Sequence, residues 1–319
     1  MSEPRVVSLG GGHGLAAMLQ ALRVITPHLT AIVTVADNGG SSGRLREEFH
    51  SLPPGDLRMA LAALCGDDDW GRSWAEIMQY RFTSSGELNG HALGNLLLTA
   101  LWDRDEDPVQ GLDRVGALLK VVGRVLPMAL QPLDIEATFR NWEGVHVIRG
   151  QKEVAAGKGR LEDLRLIPEN ARPTPEGLGA IAEADWITLG PGSWFSSVLP
   201  HLLVAEQREA LYNAKGKILI ALNLDAVATK SGDELAGSSP SDHLRIMLRY
   251  APDLRCDIAL ADQSITGSLE ERETLEQIVA AMGGELVIAD LASHPGSNHH
   301  DSNKLISAFS HIMESEVIR

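Results

Sequence analysis

Three apolar runs in this chain stop abruptly in glycine-rich loops that open into helical patterns, and this recurrence constrains the fold more than any other feature. Residues 5–9 (RVVSL) lead into GGGHGL, residues 30–36 (TAIVTVA) stop at Asp37, Asn38 and two glycines, and ADWITL, from residue 184, stops at Gly190-Pro191-Gly192-Ser193. β-Branched runs bounded by glycine read as buried strands. In an open parallel sheet, ligands collect outside the carboxyl ends of the strands, where helix N-termini present unpaired N–H groups. Each loop is therefore a candidate part of one ligand site.

The central loop, TVADNGGSSGRLR, is the densest. Asp37 and Asn38 offer oxygens to a metal or a sugar hydroxyl. Gly39, Gly40 and Gly43 let the backbone approach a ligand, and Ser41, Ser42 and Arg44 can donate to phosphate. The plainer alternative is a capped loop before a helix starting near Arg44. In the first loop the backbone at Gly11, Gly12 and Gly14 suits a phosphate at a helix N-terminus. His13 either points at the ligand or lies on the surface. A dinucleotide fingerprint needs a third glycine at position 15; Leu15 stands there, which disfavours an NAD(P)-dependent oxidoreductase, although Asp37 sits where such enzymes hold ribose.

Further along, PPGDLR places Asp56 as an expected N-cap with Arg58 in the same first turn, as a surface ion pair or as part of a phosphate and metal site. Residues 66–74 read as an acidic loop, followed by a short helix over 74–80. In GHALGNLLLTALW, His91 and Asn95 either bond a ligand or cap the helix. After a helix over 108–122, short alternating runs over 125–168 predict an antiparallel β excursion, with 153–160 a flexible loop. A helix over 175–183 precedes the third glycine loop, where Gly190, Gly192 and Ser193 are assigned to ligand contact; Ser196 and Ser197 fit capping equally well. Strands are predicted over 217–223, 256–262 and 285–290, with a polar loop carrying Ser239, Asp242 and His243 and a charged helix over 269–282. His299, His300 and Asp301 could bind a metal, but capping of the last helix explains them better.

The pattern predicts an α/β chain: a doubly wound, mostly parallel sheet in a single domain over 1–319, with residues 125–168 a β-rich insertion. Composition narrows the partners. Twenty-eight basic against 43 acidic residues give a net charge of −15, which argues against nucleic acid or an anionic membrane surface. Apolar runs such as LLLTALW are too short to span a bilayer, and residues 1–4 lead straight into a strand, so no membrane insertion and a cytoplasmic location are expected. Cys65 and Cys256 lack metal-ligand spacing and read as buried thiols. A homo-oligomer is the expected assembly.

GGGHGL, TVADNGGSSGRLR, PPGDLR, GHALGNL, the strand with GPGS and SVLP, and SPSDH together resemble the bacterial YvcK-like proteins, the gluconeogenesis factors, in order and spacing along nearly the whole chain. That family is related to the CofD 2-phospho-L-lactate transferases of coenzyme F420 synthesis. The resemblance implies a Rossmann-like three-layer sandwich and a cytoplasmic protein that binds a nucleotide sugar such as UDP-N-acetylglucosamine, requires no cofactor, and supports cell shape and growth on gluconeogenic carbon sources. Its alternative is a CofD-like transferase moving a phosphorylated group from a nucleotide donor, with Asp37 and Asp56 around Mg2+. Many relatives carry Thr where this chain has His13 and a second Asp where it has Asn38. A single carboxylate at 37–38 is a weaker Mg2+ site than a pair, so the resemblance favours binding over transfer, with no residue assigned to catalysis.

Overall fold

The computed structural model describes residues 3–224 and 239–317. Strand β1 (Val6–Gly10) enters α1 (Gly12–Ile25), and β2 (Leu29–Val33) follows. Next come α2 (Gly40–Phe49), α3 (Pro54–Ala63), α4 (Asp69–Gln79), α5 (Leu93–Asp105) and α6 (Pro108–Leu119), before β3 (Arg124–Pro127). The chain then forms β4 (Asp134–Asn141), β5 (Gly144–Arg149), the short α7 (Gln151–Ala155) and β6 (Arg160–Ile167), and returns through α8 (Pro175–Glu183) to β7 (Trp186–Leu189). A one-turn π-helix, Trp194–Val198, runs into α9 (Leu199–Leu203) and α10 (Ala205–Tyr212). The remaining described elements are β8 (Lys217–Ala221), α11 (Pro240–Tyr250), β9 (Ile258–Asp262), α12 (Leu269–Ala281), β10 (Glu285–Ala289) and α13 (Ser302–Val317).

Seven of these strands form one parallel sheet in the order β3-β2-β1-β7-β8-β9-β10. Winding runs outward from β1 to β3, then restarts at β7 and runs the other way. The reversal between β1 and β7 creates the crevice where Rossmann-like sheets hold ligands. β1, β7 and β9 are buried at every position, as strands covered on both faces must be. Helix α1 buries Leu15, Met18, Leu19 and Leu22, the i, i+3, i+4, i+7 stripe that docks a helix on a sheet. Each such side chain contributes roughly 1.5–3 kcal/mol.

A second, antiparallel sheet has the order β5-β4-β6. It buries Ile135, Ala137, Phe139, Leu161, Leu164 and Leu166 on one face, and Phe139 meets Phe195 of the π-helix edge-on at 6.2 Å. The stretch over 125–168 therefore divides: Val125–Pro127 belongs to β3, which pairs in parallel with β2, and the antiparallel sheet begins at Asp134.

Local boundaries differ from the sequence pattern for identifiable reasons. Helix α2 begins at Gly40, not near Arg44, because Asp37 Oδ1 accepts the Gly39 N–H at 2.8 Å and turns the chain early. Helix α4 begins inside the acidic run because Asp68 caps it, accepting the Gly71 N–H at 2.7 Å. Where a flexible loop over 153–160 is expected, residues 153–155 belong to the short helix that follows the turn at Gly150 (φ 108°), and Arg160 opens β6. The polar loop before α11 lies largely outside the described residues; Ser239 and Asp242 form a reciprocal capping box on that helix.

Candidate ligand site at the carboxyl edge

The loops after β1, β2 and β7 meet at the carboxyl edge of the sheet. A Cβ on Gly11, the N-cap of α1, would lie 2.4 Å from Thr34 Oγ1, 2.7 Å from Asp56 Oδ2 and 3.2 Å from Ser197 Oγ. One glycine is thus ringed by side chains from three other segments. A Cβ on Gly14 would sit 2.2 Å from the Pro191 carbonyl oxygen, so the first and third loops touch. Gly12 (φ 59°) and Gly40 (φ 51°) take the left-handed conformation that favours glycine, and a Cβ at either would meet nothing within 4 Å. The two turns face open space at the starts of α1 and α2, whose first N–H groups have no intrahelical partner.

Asp56 is not the N-cap of α3; Pro53 is, and Asp56 is the helix's third residue, within its first turn. Its carboxyl reaches back to the first loop, accepting from Thr34 Oγ1 at 3.3 Å and from the Gly12 N–H. Burial, and secondarily the Asp37 charge, push its pKa up to about 7. Asp37 itself is held by Gly39, and its Oδ2 would lie 3.0 Å from a Cβ on Gly55, next to Ser42 Oγ. Arg58 is buried beside this pair, its pKa pulled down to about 10 by burial and then by Arg81, and its guanidinium donates to Gln79. Of the two readings left open for Arg58, the surface ion pair is excluded. Two carboxylates whose mutual repulsion already lifts one pKa form a hard-oxygen donor set, which fits Mg2+ completed by water and phosphate oxygens. Asp37 and Asp56 would hold it, and it would neutralise phosphate charge there.

Asn38 takes no part in that pair. Its Nδ2 donates to Glu153 Oε2 at 3.1 Å, linking the central loop to α7. Ser41, His91 and Asn95 do come together: Asn95 Nδ2 donates to Ser41 Oγ at 2.9 Å, and Ser41 lies 3.0 Å from His91 Nδ1. All three are buried, and burial, then Arg44, lowers the His91 pKa. Ser41 Oγ accepts from Asn95 and shares the second bond of this group with Nδ1 of the imidazole, the tautomer of His91 setting which of the two donates. Neither His91 nor Asn95 caps α5, whose N-cap is Ala92. Arg44 donates to the carbonyls of Glu87 (3.0 Å) and Asn89 (2.8 Å), tying α2 to the loop that carries His91.

In the third loop Ser193 Oγ accepts from the Ser196 N–H at 3.2 Å and the Ser196 hydroxyl at 2.6 Å, so Ser193 caps the π-helix. Ser197, not Ser193, stands nearest Gly11. Gly190 and Gly192 both have positive φ. Gly192 is gripped by Asn223, which accepts its N–H at 2.9 Å and donates to its carbonyl at 2.8 Å. His201, whose pKa burial pulls down to about 4, donates from Nε2 to the Gly10 carbonyl at 3.3 Å, while Gln207 donates to its Nδ1. Asn223, His201 and Thr34 escape sequence reading because each is a lone polar residue in an apolar stretch. His13 is exposed on α1. Asp301 caps α13 through the N–H groups of Asn303 and Lys304, and no group of three metal-ligating side chains occurs among the described residues.

The reversed parallel sheet, the glycine turns at its switch point and the polar residues around them define an α/β protein with a Rossmann-like ligand edge. The chain belongs to the CofD family: the family model for 2-phospho-L-lactate transferase CofD matches residues 6–292. It is 44% identical to a Mycobacterium leprae protein named "Putative gluconeogenesis factor", over 96% of this chain and 85% of that one. It is 34% identical to the gluconeogenesis factor of Listeria monocytogenes, over 96% and 95%. A crystal structure of a Bacillus halodurans protein superposes with a TM-score of 0.82 at 31% identity, covering 97% of this chain and 99% of that one. Among the described residues no helix is long and apolar enough to cross a membrane.

Proposed function

We propose that this protein is a cytoplasmic nucleotide-sugar-binding regulator, with a UDP-N-acetylglucosamine-like ligand, that supports cell shape and growth on gluconeogenic carbon sources. The observation that carries the reading is the meeting of the three loops around Gly11, with the turns at Gly12 and Gly40 facing open space. Two helix starts supply N–H donors for a diphosphate, and a neutral Ser41–His91–Asn95 group stands next to them for hydroxyls beyond it. Leu15 is buried against Gly10, 3.3 Å from where a Cβ there would stand, at the position where a dinucleotide fingerprint has a glycine for closer helix–strand packing. The regulator requires no cofactor. The names of the Mycobacterium and Listeria relatives support the metabolic role.

A second reading, a CofD-like transferase, is favoured by the family and by the Asp37–Asp56 pair. The test supplies purified protein with Mg2+, a phospholactyl guanosine diphosphate donor and a deazaflavin acceptor. No transfer is expected. Turnover abolished by Asp37→Asn would overturn the regulatory reading.

A further inference from the structure

The two edges of the small antiparallel sheet are treated differently. At the β6 edge, Arg249 of α11 donates to the carbonyls of Leu161 (3.4 Å) and Glu162, covering backbone acceptors. At the β5 edge, no strand pairs with the outer side among the described residues. Apart from the charge of Arg149 at its end, β5 carries little of the usual protection against edge pairing: it has no Pro, no Lys and no bulge, the sheet's one irregularity lying between β4 and β6. It instead exposes Val145 (47%) and Val147 (63%), and the hairpin tip beside them exposes Trp142 (91%).

We propose that β5 is a self-pairing edge, at which a second copy of this chain adds its own β5 antiparallel across a two-fold axis to make a continuous six-stranded sheet. The backbone parity allows one such arrangement well. Gly150 N–H donates inward to Ile135, and β4 and β5 pair 135 with 150, 137 with 148 and 139 with 146, so the even residues of β5 bond to β4. Val145, Val147 and Arg149 therefore turn their N–H and C=O groups outward. With the two-fold at His146, Val145 of each copy exchanges hydrogen bonds with Val147 of the other, and His146 meets its symmetry mate in a non-hydrogen-bonded pair. The valines lie on the face opposite Phe139 and Ala137, so four of them gather across the axis.

Charge agrees with this register. Glu143, in the hairpin turn just ahead of β5, comes beside Arg149 of the second copy at both ends of the ladder. Arg149 already shares Asp134 with Arg46, whose Nη2 is 2.6 Å from Asp134 Oδ1, so this three-residue group carries a net positive charge toward the incoming glutamate. Centring the axis on Val147 would place Glu143 opposite Gln151 and lose the pairing. The isologous arrangement is what a closed dimer requires.

Sedimentation velocity on the full chain over a wide concentration range should show a monomer–dimer equilibrium. His146→Cys should form an intermolecular disulfide on mild oxidation, because the mates' Cβ atoms fall about 4.5–5.5 Å apart in such a pair; Cys65 and Cys256 are buried and give no background. Val147→Pro, which removes an outward N–H, should give monomer with an unchanged circular dichroism spectrum. Glu143→Arg, which tests the same edge without a proline, should weaken the dimer roughly tenfold through two reversed pairs, and adding Arg149→Glu should restore it. A monomer at all concentrations overturns the proposal. So does a dimer that survives both Val147→Pro and Glu143→Arg, or one that crosslinks through Val147→Cys but not His146→Cys.

Discussion

Replacing Asp56 with asparagine should stabilise this protein at alkaline pH and leave it almost unchanged in acid. Asp56 is half-buried, its carboxyl packed toward Gly11 and Thr34, and the lost hydration there, with the Asp37 charge, moves its pKa from 3.8 to about 7. A raised folded pKa means that the native carboxyl keeps its proton through a window in which the unfolded one has lost it. Unfolding then releases a proton, so stability falls as pH rises from about 4 to 7 and levels off above. Each tenfold change in proton affinity is worth 1.36 kcal/mol, so the ionised form is destabilised by about 4 kcal/mol at pH 8. The neutral amide introduced by Asp56→Asn carries no such penalty, and its carbonyl can still accept from Thr34 and Gly12. The variant should therefore be more stable than wild type by up to about 4 kcal/mol at pH 8, and by close to nothing at pH 4. Urea denaturation at half-unit steps across this range measures the difference. Parallel profiles for the two proteins, or a wild type that gains stability between pH 4 and 7, would refute the buried-carboxyl argument.

Related substitutions test the neighbouring parts. Asp37→Asn removes the charge that helps raise Asp56, so the midpoint of the falling limb in the same urea series should move to lower pH. Gly11→Ala drives a methyl group into Thr34 and Asp56, and overpacking of this kind costs about 1–3 kcal/mol; an unchanged denaturation midpoint would disprove the crowding. Ser41→Ala strands His91 Nδ1 and Asn95 Nδ2 in a buried setting, with an expected loss of about 1–3 kcal/mol for a buried group left unpaired. Asn38→Asp faces Glu153 with a like charge and should lower the melting temperature, the more so at low salt.

Much of the architecture is readable from sequence because its signals are local. The runs before Gly10, Asp37 and Gly190 declare their strands and the loops that end them, and the winding rules for parallel sheets then bring the loops to one edge. β3 is harder: RVLP has the same local pattern whether it pairs in parallel with β2 or starts an antiparallel excursion, and only the tertiary partner decides. Ser41, His91 and Asn95 are each recognisable as candidates, but their mutual bonds join residues 50 and 54 positions apart. Asp56 misleads because an acidic residue after Pro-Pro-Gly suits a cap, whereas its carboxyl serves the neighbouring strand's turn. Ser193 caps the π-helix, a role its pattern leaves equally to Ser196 and Ser197, because three serines so close together give no local signal for which one the helix takes.

The central claim, a diphosphate seated across the turns at Gly12 and Gly40, is tested most directly by titration calorimetry with UDP-N-acetylglucosamine, GTP and NAD on one preparation, wild type beside Gly12→Asp. A Cβ at position 12 enters open space, so the new carboxylate would stand near the phosphates; at ~4 Å and an effective dielectric constant of about 20, two unit charges repel by roughly 4 kcal/mol. The account predicts that the UDP-sugar binds wild type most tightly and that Gly12→Asp abolishes measurable heat. Binding of NAD without the UDP-sugar, or an affinity that Gly12→Asp leaves unchanged, would contradict it.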